Sequence, residues 1–258
     1  MQRAREQRVD LVLTLTQSLS DETLFQLKRR GIRCVAWWGD ATANMHGMGL
    51  LSEGWDAIFL KDASAVAKFR RVGLNAHLLH EAMNPLWHKP VAHEFNDAVV
   101  IAGSFYGYRQ FLTMRLIDAN VPVSLYGGRL PRWANQAIKS RHTGRFIVKE
   151  EKSRVFGSAL ACLNSTALSE GNSLNCRAFE IAGAGGLQLL EYRPAVTDCF
   201  DPGKELLVFR SFEELLEQIA WIRADPEGAR EMKCAGARRA LADHTYEHRL
   251  GDLLRVIE

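Results

Sequence analysis

The stretch with the most chemistry in it runs from Gly171 to Leu190, Gly-Asn-Ser-Leu-Asn-Cys-Arg-Ala-Phe-Glu-Ile-Ala-Gly-Ala-Gly-Gly-Leu-Gln-Leu-Leu. Arg177 and Glu180 are three residues apart, so on a helix they share one face. Just upstream, Asn172, Ser173 and Asn175 each carry a side-chain oxygen able to accept an N–H of a first helical turn. Phe179, Ala182 and Gly183 line another face, and Gly185-Gly186 stops the helix. Leu187 to Leu190 then reads as a short core strand. A helix N-terminus attracts anions. With one Arg and one Glu beside it at the edge of a parallel sheet, it suits a ligand that carries both phosphate and hydroxyls. On spacing alone, a solvated ion pair next to a glycine stop is the simpler reading. A dinucleotide fingerprint does not fit Gly183-Ala184-Gly185, because these glycines close a helix and open a strand.

The elements that must position these groups alternate in type. Val9 to Leu15 reads as a strand, Ser20 to Arg30 as a helix stopped by Gly31, and Ile32 to Trp38 as a strand leading to Trp37-Trp38-Gly39-Asp40. A loop with a short helix spans Ala41 to Leu51. Strand Ala57 to Leu60, a helix capped by Asp62, and strand Asn75 to His80 complete a first parallel α/β domain. The polar, proline-bearing segment Glu81 to Asn96 reads as a linker. A second alternation follows, with strands at Ala98 to Ala102, Val121 to Tyr126, Arg145 to Val148, Ala161 to Asn164, Leu187 to Leu190 and Glu205 to Phe209. Ser211-Phe212-Glu213-Glu214 forms a capping box, and Pro226 stands at the first position of the next helix. Thr245 caps a terminal helix whose Tyr246, Leu250, Leu253 and Leu254 form an apolar stripe. The expected architecture is α/β with two Rossmann-like parallel-sheet domains, over residues 1–90 and 97–243, and a helix over 244–258 that packs back on the first. In open sheets of this kind ligands bind beyond the carboxyl ends of the strands. In the second domain those ends carry Gly103-Ser104, Tyr126-Gly127-Gly128, Asn164-Ser165 and the loop before Arg177. Four such ends with glycine and small polar residues favour a phosphate-binding cleft over the simpler reading.

Composition narrows the classes. Of 258 residues, 47% are hydrophobic and 24% charged, as in a globular protein. The net charge of +3 is too small to argue for nucleic acid. The longest apolar runs fall short of a membrane span, and Met1 to Asp10 lacks a signal-peptide core. The five cysteines are scattered and never form a Cys-x-x-Cys pair, which predicts reduced thiols in the cytoplasm. Most of them read as small core residues.

Several motifs together resemble the CgeB-like glycosyltransferases, members of the GT-B superfamily. They are Asn175-Cys176-Arg177-Ala178-Phe179-Glu180, Gly183-Ala184-Gly185-Gly186, Glu191-Tyr192-Arg193-Pro194, Phe200-Asp201-Pro202-Gly203-Lys204-Glu205 and His244-Thr245-Tyr246-Glu247-His248-Arg249. Upstream, Gly103-Ser104-Phe105-Tyr106-Gly107-Tyr108-Arg109 and Trp37-Trp38-Gly39-Asp40 extend the likeness over nearly the whole chain. The resemblance implies transfer of a sugar from a nucleotide-sugar donor, UDP-linked, held mainly by the C-terminal domain, to an acceptor it does not name. It implies that Glu180 meets the donor ribose, that Arg109 and Arg177 lie near the diphosphate beside Gly103 and Ser104, and that Arg145 to Lys149 wall the base. Tyr126, Gly127, Asn172, Ser173 and Asn175 complete the expected donor site. A leaving diphosphate gains charge in the transition state, and preorganised N–H groups, a helix N-terminus and Arg stabilise it. The donor is a substrate, so no cofactor is expected, and no Asp-x-Asp or His cluster suggests a metal.

Two departures qualify the resemblance. Related retaining enzymes carry two glutamates separated by seven residues, but Asn172 stands eight before Glu180, and Glu170 is off register. The first domain also has no room before Val9 for the initial strand-helix units of a complete GT-B domain. Asp40, His46 and His80 are candidates for a general base, with Asp40 first and His46 second. His77, His88, His93 and His142 carry no signal. Arg238-Arg239 with His248-Arg249 reads as a solvated helix face. Two alternatives stay open: a non-catalytic subunit that binds nucleotide-sugar, and a nucleotide-sugar epimerase of the same architecture. An exposed edge on a short first sheet would be the place for a homo-oligomer to form.

Overall fold

The computed structural model describes residues 9–92 and 94–258, so Met1 to Arg8 and the expectation for His93 lie outside the described residues. The chain divides into two compact units. The first runs up to Glu81 and takes in Ser169–Leu174 and Glu247–Glu258; the second comprises Ala82–Leu168 and Asn175–Tyr246.

The first unit holds strands β1 (Leu11–Thr14), β2 (Arg33–Trp38), β3 (Ala57–Leu60) and β4 (Ala76–Leu78), all parallel and in that order. Between them lie helices α1 (Asp21–Lys28) and α2 (Ala63–Arg71). Their ends follow from local chemistry. Ser20 accepts the Thr23 N–H at the start of α1, and Gly31 takes a φ of +74° beyond its end. Every residue of β3 is buried, as in a parallel sheet covered on both faces. One face packs Ile58 and Leu60 with Leu24, Leu27, Val66 and Phe69. The other packs Val35, Trp37 and Phe59 with Leu79 and with Leu253 of the closing helix (Tyr246–Ile257).

The short helix expected in the loop over Ala41 to Leu51 is a single 3-10 turn at Thr42–Asn44, and beyond it Gly47 and Gly49 adopt φ of +54° and +56°. Two expectations for this unit change. Of the stripe on the closing helix only Leu253 is buried, while Tyr246, Leu250 and Leu254 are exposed. Arg249 is not on a solvated face: it is 7% exposed, and its Nε donates to the carbonyls of His80 and Glu81 at 3.1 and 3.3 Å.

The second unit holds β5 (Asn96–Ala102), α3 (Gly107–Asp118), β6 (Val123–Tyr126), α4 (Gln136–Arg141), α5 (Glu150–Ser158), β7 (Ala159–Asn164), α6 (Cys176–Gly183), β8 (Gln188–Glu191), α7 (Val196–Cys199), β9 (Leu207–Phe209), α8 (Phe212–Ala224) and α9 (Pro226–Asp243). Its five parallel strands run in the order β6-β5-β7-β8-β9. The chain therefore steps from β5 outward to β6 and returns to continue from β7. A crevice opens beyond the carboxyl ends of strands at such a reversal, here where Gly103 follows β5 and Ser165 follows β7. The segment read as a linker belongs to this unit from Ala82 onward, and Ser153 Oγ donates to the Trp87 carbonyl at 2.7 Å. No strand forms at Arg145 to Val148. A backbone bond from Gly127 N–H to the Arg145 carbonyl holds the chain there. Lys149, at a φ of +50°, then turns it directly into α5.

Among the described residues no helix is long and apolar enough to cross a membrane. All five cysteines are free; Cys34, Cys162 and Cys199 are buried, Cys176 is half-buried and Cys234 exposed.

Candidate functional site

At the carboxyl end of β5 the backbone turns at Gly103 with a φ of +120°, a region open to glycine. A Cβ there would stand 2.4 Å from Arg177 Nη2 and 3.0 Å from Arg109 Nη1. The two guanidinium groups therefore converge on the bare Cα. From the neighbouring strand, Tyr126 accepts the Gly103 N–H at 2.8 Å. A Cβ on Gly127 would lie 2.2 Å from the Gly103 carbonyl oxygen, so both glycines are needed for the loops to close on one another.

The two arginines do different work. Arg109 is 3% exposed and its donors are turned on protein: Nε to Ser165 Oγ at 3.2 Å, Nη1 to the Ser104 carbonyl at 2.6 Å, and Nη2 to Tyr106 Oη and the Ser165 carbonyl at 2.8 and 2.6 Å. It ties the loop after β5 to the loop after β7. Burial, with the nearby Arg177 charge, pushes it down to about 10, so it stays a cation at neutral pH. Arg177, at the second position of α6, donates from Nη1 to Asn164 Oδ1 at 3.2 Å. Among the described residues it has no carboxylate partner. Two neighbouring cations with neither neutralised attract an anion, and charge-assisted, planar Arg contacts suit phosphate.

Asn164 organises this arrangement. Fully buried at the end of β7, its amide nitrogen donates to Asn175 Oδ1 at 3.1 Å and Gln188 Oε1 at 2.8 Å. Its oxygen accepts from Asn175 Nδ2 and Arg177 Nη1. Asn175 in turn caps α6 through the Ala178 N–H. Of the three cap candidates, only Asn175 serves. Asn172 and Ser173 lie in the first unit: the Asn172 N–H donates to Asp62 Oδ2 at 2.8 Å, and Ser173 Oγ to Glu170 Oε1 at 2.9 Å.

One turn along α6, Glu180 is 9% exposed, and Lys152 Nζ donates to both its oxygens at 2.7 Å. His88 Nε2 stands 3.8 Å from Oε1, while His88 Nδ1 accepts the Asn84 N–H. That bond leaves the proton of the neutral ring on Nε2, facing the carboxylate. Burial holds His88 below the usual histidine range, outweighing the pull of Glu180. Arg145 is turned outward: it pairs with Glu151 and lies 5.8 Å over the Tyr126 ring.

In the first unit, Asp40 borders a hollow of about 90 Å³ with Lys61, Asp62, Ser64 and Glu170. Its oxygens accept the Ala41 N–H at 2.7 Å and Asn44 Nδ2 at 2.9 Å. Lys61 is 4% exposed, with Nζ 2.7 Å from Glu170 and 3.3 Å from Glu81. Burial alone would lower its pKa, but the two carboxylates together hold it above the ordinary lysine value. His46 is exposed and does not line this hollow. Among the described residues no three His, Cys, Asp or Glu side chains are grouped to hold a metal ion.

A profile of the glycosyl transferase-like family matches residues 109–255, more than half of the chain. The chain belongs to that family. No curated protein sequence matches it. Among solved structures, this glycosyl transferase-like protein is similar to a sucrose-phosphate synthase (tll1590) from Thermosynechococcus elongatus at 19% identity and a TM-score of 0.72, covering 99% of this chain and 75% of that one. It is similar to Anabaena Alr3699/HepE in complex with UDP and glucose at 10% identity and a TM-score of 0.73, covering 99% and 79%. A glycosyltransferase from Rickettsia africae matches at 8% identity and a TM-score of 0.72, covering 99% and 78%. The fold of this glycosyl transferase-like protein, two parallel-sheet units, is thus that of GT-B glycosyltransferases.

Sequence reasoning set Asn164 at a strand end of the cleft without a role of its own, and passed over Lys152 and His88 as site residues. Asn164 ends an apolar strand, and a buried amide at a strand's carboxyl end is a signal it carries. Lys152 and His88 are 28 and 92 residues from Glu180 in the chain, and no local pattern joins them.

Proposed function

We propose that this protein transfers a sugar from a UDP-linked donor, as the CgeB-like resemblance implies. The donor diphosphate lies against Arg177 and the Gly103 loop, and the acceptor is undetermined. The observation that carries the reading is the convergence of Arg109 and Arg177 on the bare Gly103 Cα, without a carboxylate partner for Arg177 among the described residues. In this reading Arg109 holds the loops and Arg177 contacts the phosphates, taking up charge as the nucleotide leaves. Glu180, steadied by Lys152, accepts the ribose hydroxyls. Tyr126 and Arg145 border the base. Asp40 is the proposed base for the acceptor hydroxyl, because its carboxylate is exposed and already oriented by Ala41 and Asn44. The complexes of Alr3699/HepE with UDP, with UDP and glucose and with UDP-glucose lend support through the shared fold.

Calorimetric titration with UDP, UDP-glucose, GDP and AMP tests this directly. The uracil nucleotides are expected to bind, and Arg177→Ala to weaken them by about 1.5–3 kcal/mol, a roughly ten- to hundredfold loss. The apo melting temperature should barely move. Equal binding of UDP to Arg177→Ala and wild type overturns the assignment. Release of UDP from UDP-glucose, lost in Asp40→Asn with UDP affinity unchanged, would separate transfer from mere binding.

A further inference from the structure

The second unit carries a far larger hollow at the opposite edge of its sheet, where β5 and β7 begin and α6 ends. It measures about 690 Å³, within the usual range for small-molecule sites. One face of α9 lines it along its length: Pro226, Ala229, Arg230, Lys233, Cys234 and Ala237, the spacing of a single helical stripe. From Pro226 to Ala237 the helix rises about 16 Å, so the hollow is a trough. The facing wall is carbon: Pro90, Phe95, Leu160 and Ile222, with Gly157 and Gly185 adding depth. Phe95 is 67% exposed here.

Three cations border this apolar trough, and two are spent. Arg223 pairs with Asp97 at 3.4 Å and Arg230 with Glu227 at 2.5 Å. Lys233 has no ion pair among the described residues; its Nζ donates to the Ala159 carbonyl at 3.0 Å. An ammonium has three donors, so two remain. A half-buried cation without a counter-ion above a carbon-lined trough is complementary to an amphipathic anion. The trough's length favours a flexible chain over a compact ring.

We propose that this trough binds an unbranched acyl carboxylate, its chain laid along α9 and its carboxylate on Lys233. The site is separate from the donor residues, which lie at the carboxyl ends of the same strands, and its occupancy does not depend on the nucleotide.

The test is calorimetric titration of the full chain with octanoate, decanoate and dodecanoate below their micelle concentrations, with 1-decanol and decyltrimethylammonium for comparison. Affinity should rise about fourfold per added methylene. Decanoate should bind at least about tenfold more tightly than decanol, and decyltrimethylammonium more weakly than either. Lys233→Met should erase the advantage of decanoate and leave decanol binding intact, while Ala237→Phe should remove both. A flat chain-length series, equal binding of the carboxylate and the quaternary amine, or a Lys233→Met protein that binds decanoate like wild type would overturn the proposal. So would a concentration-dependent dimer in sedimentation that Ala237→Arg dissolves, combined with no decanoate binding; the occupant would then be a second copy.

Discussion

Arg177 rests its guanidinium on Gly103, with Nη2 2.4 Å from the point a Cβ would occupy. Gly103→Ala must move the arginine or the loop and also place alanine at a φ of +120°. The expected result is a loss of about 1–3 kcal/mol in stability from backbone strain. Nucleotide affinity should fall in parallel with that of Arg177→Ala. Chemical denaturation together with UDP titration checks both. A variant that melts like wild type and binds UDP equally well would show that Arg177 does not need this space.

Lys152 and Glu180 form a largely buried pair, with side chains 23% and 12% exposed. Removing one partner leaves the other desolvated without compensation. Lys152→Met is therefore expected to destabilise the second unit by about 1–3 kcal/mol, less than a fully buried pair would lose. Adding Glu180→Gln should recover part of the loss, giving a favourable coupling in a double-mutant cycle. Additive single effects would mean that the pair contributes nothing specific.

What the sequence made legible was local. The alternation of apolar runs and capped helices located both parallel sheets. Ser20, Asp62, Ser211 and Asn175 stand as N-caps where short polar residues precede apolar helices. Glycines at strand ends marked the Gly103 and Gly127 loops. Long-range partners were hidden. The resemblance sets Arg109 near the diphosphate, yet its donors are consumed by Ser104, Tyr106 and Ser165, because its helix starts beneath a loop 56 residues further along. Asn172 and Ser173 have cap chemistry, but Asp62 and Glu170 claim them first. The expected strand at Arg145 to Val148 had the right apolar residues and lacked a pairing ladder.

Asp62 links two segments distant in the chain. One carboxylate oxygen accepts from Ser64 N, Ser64 Oγ and Ala65 N, and the other accepts Asn172 N. Burial alone would raise its pKa, but the bonds from Ser64, Asn172 and Ala65 together bring it below the ordinary carboxylate value. A depressed carboxylate contributes stability that is present above its unfolded pKa of 3.8 and lost as pH falls through the lower folded value. Asp62→Ala should cost about 1–2 kcal/mol at neutral pH, as for other lost caps, and speed amide exchange in Ser169–Leu174. Unchanged exchange in that segment would separate the cap from the loop.

His88 sets an acid limit to the second unit. It is 4% exposed, and the groups facing it are Glu180, Lys152 and Glu150. Burial lowers its pKa beneath the ordinary histidine value of 6.5, so the unfolded chain binds a proton more readily than the folded one. Stability contributed by neutral His88 is therefore complete above pH 6.5 and declines as pH falls below it, until the folded value is passed. His77 and His142 are lowered in the same direction, so the measurement must be a difference. Urea unfolding of wild type and His88→Gln across this range should show a shallower pH slope in the variant. NMR titration of His88 should place its midpoint below 6.5, with the proton of the neutral ring on Nε2. A midpoint above 6.5 would mean that the Glu180 charge, rather than burial, governs this histidine.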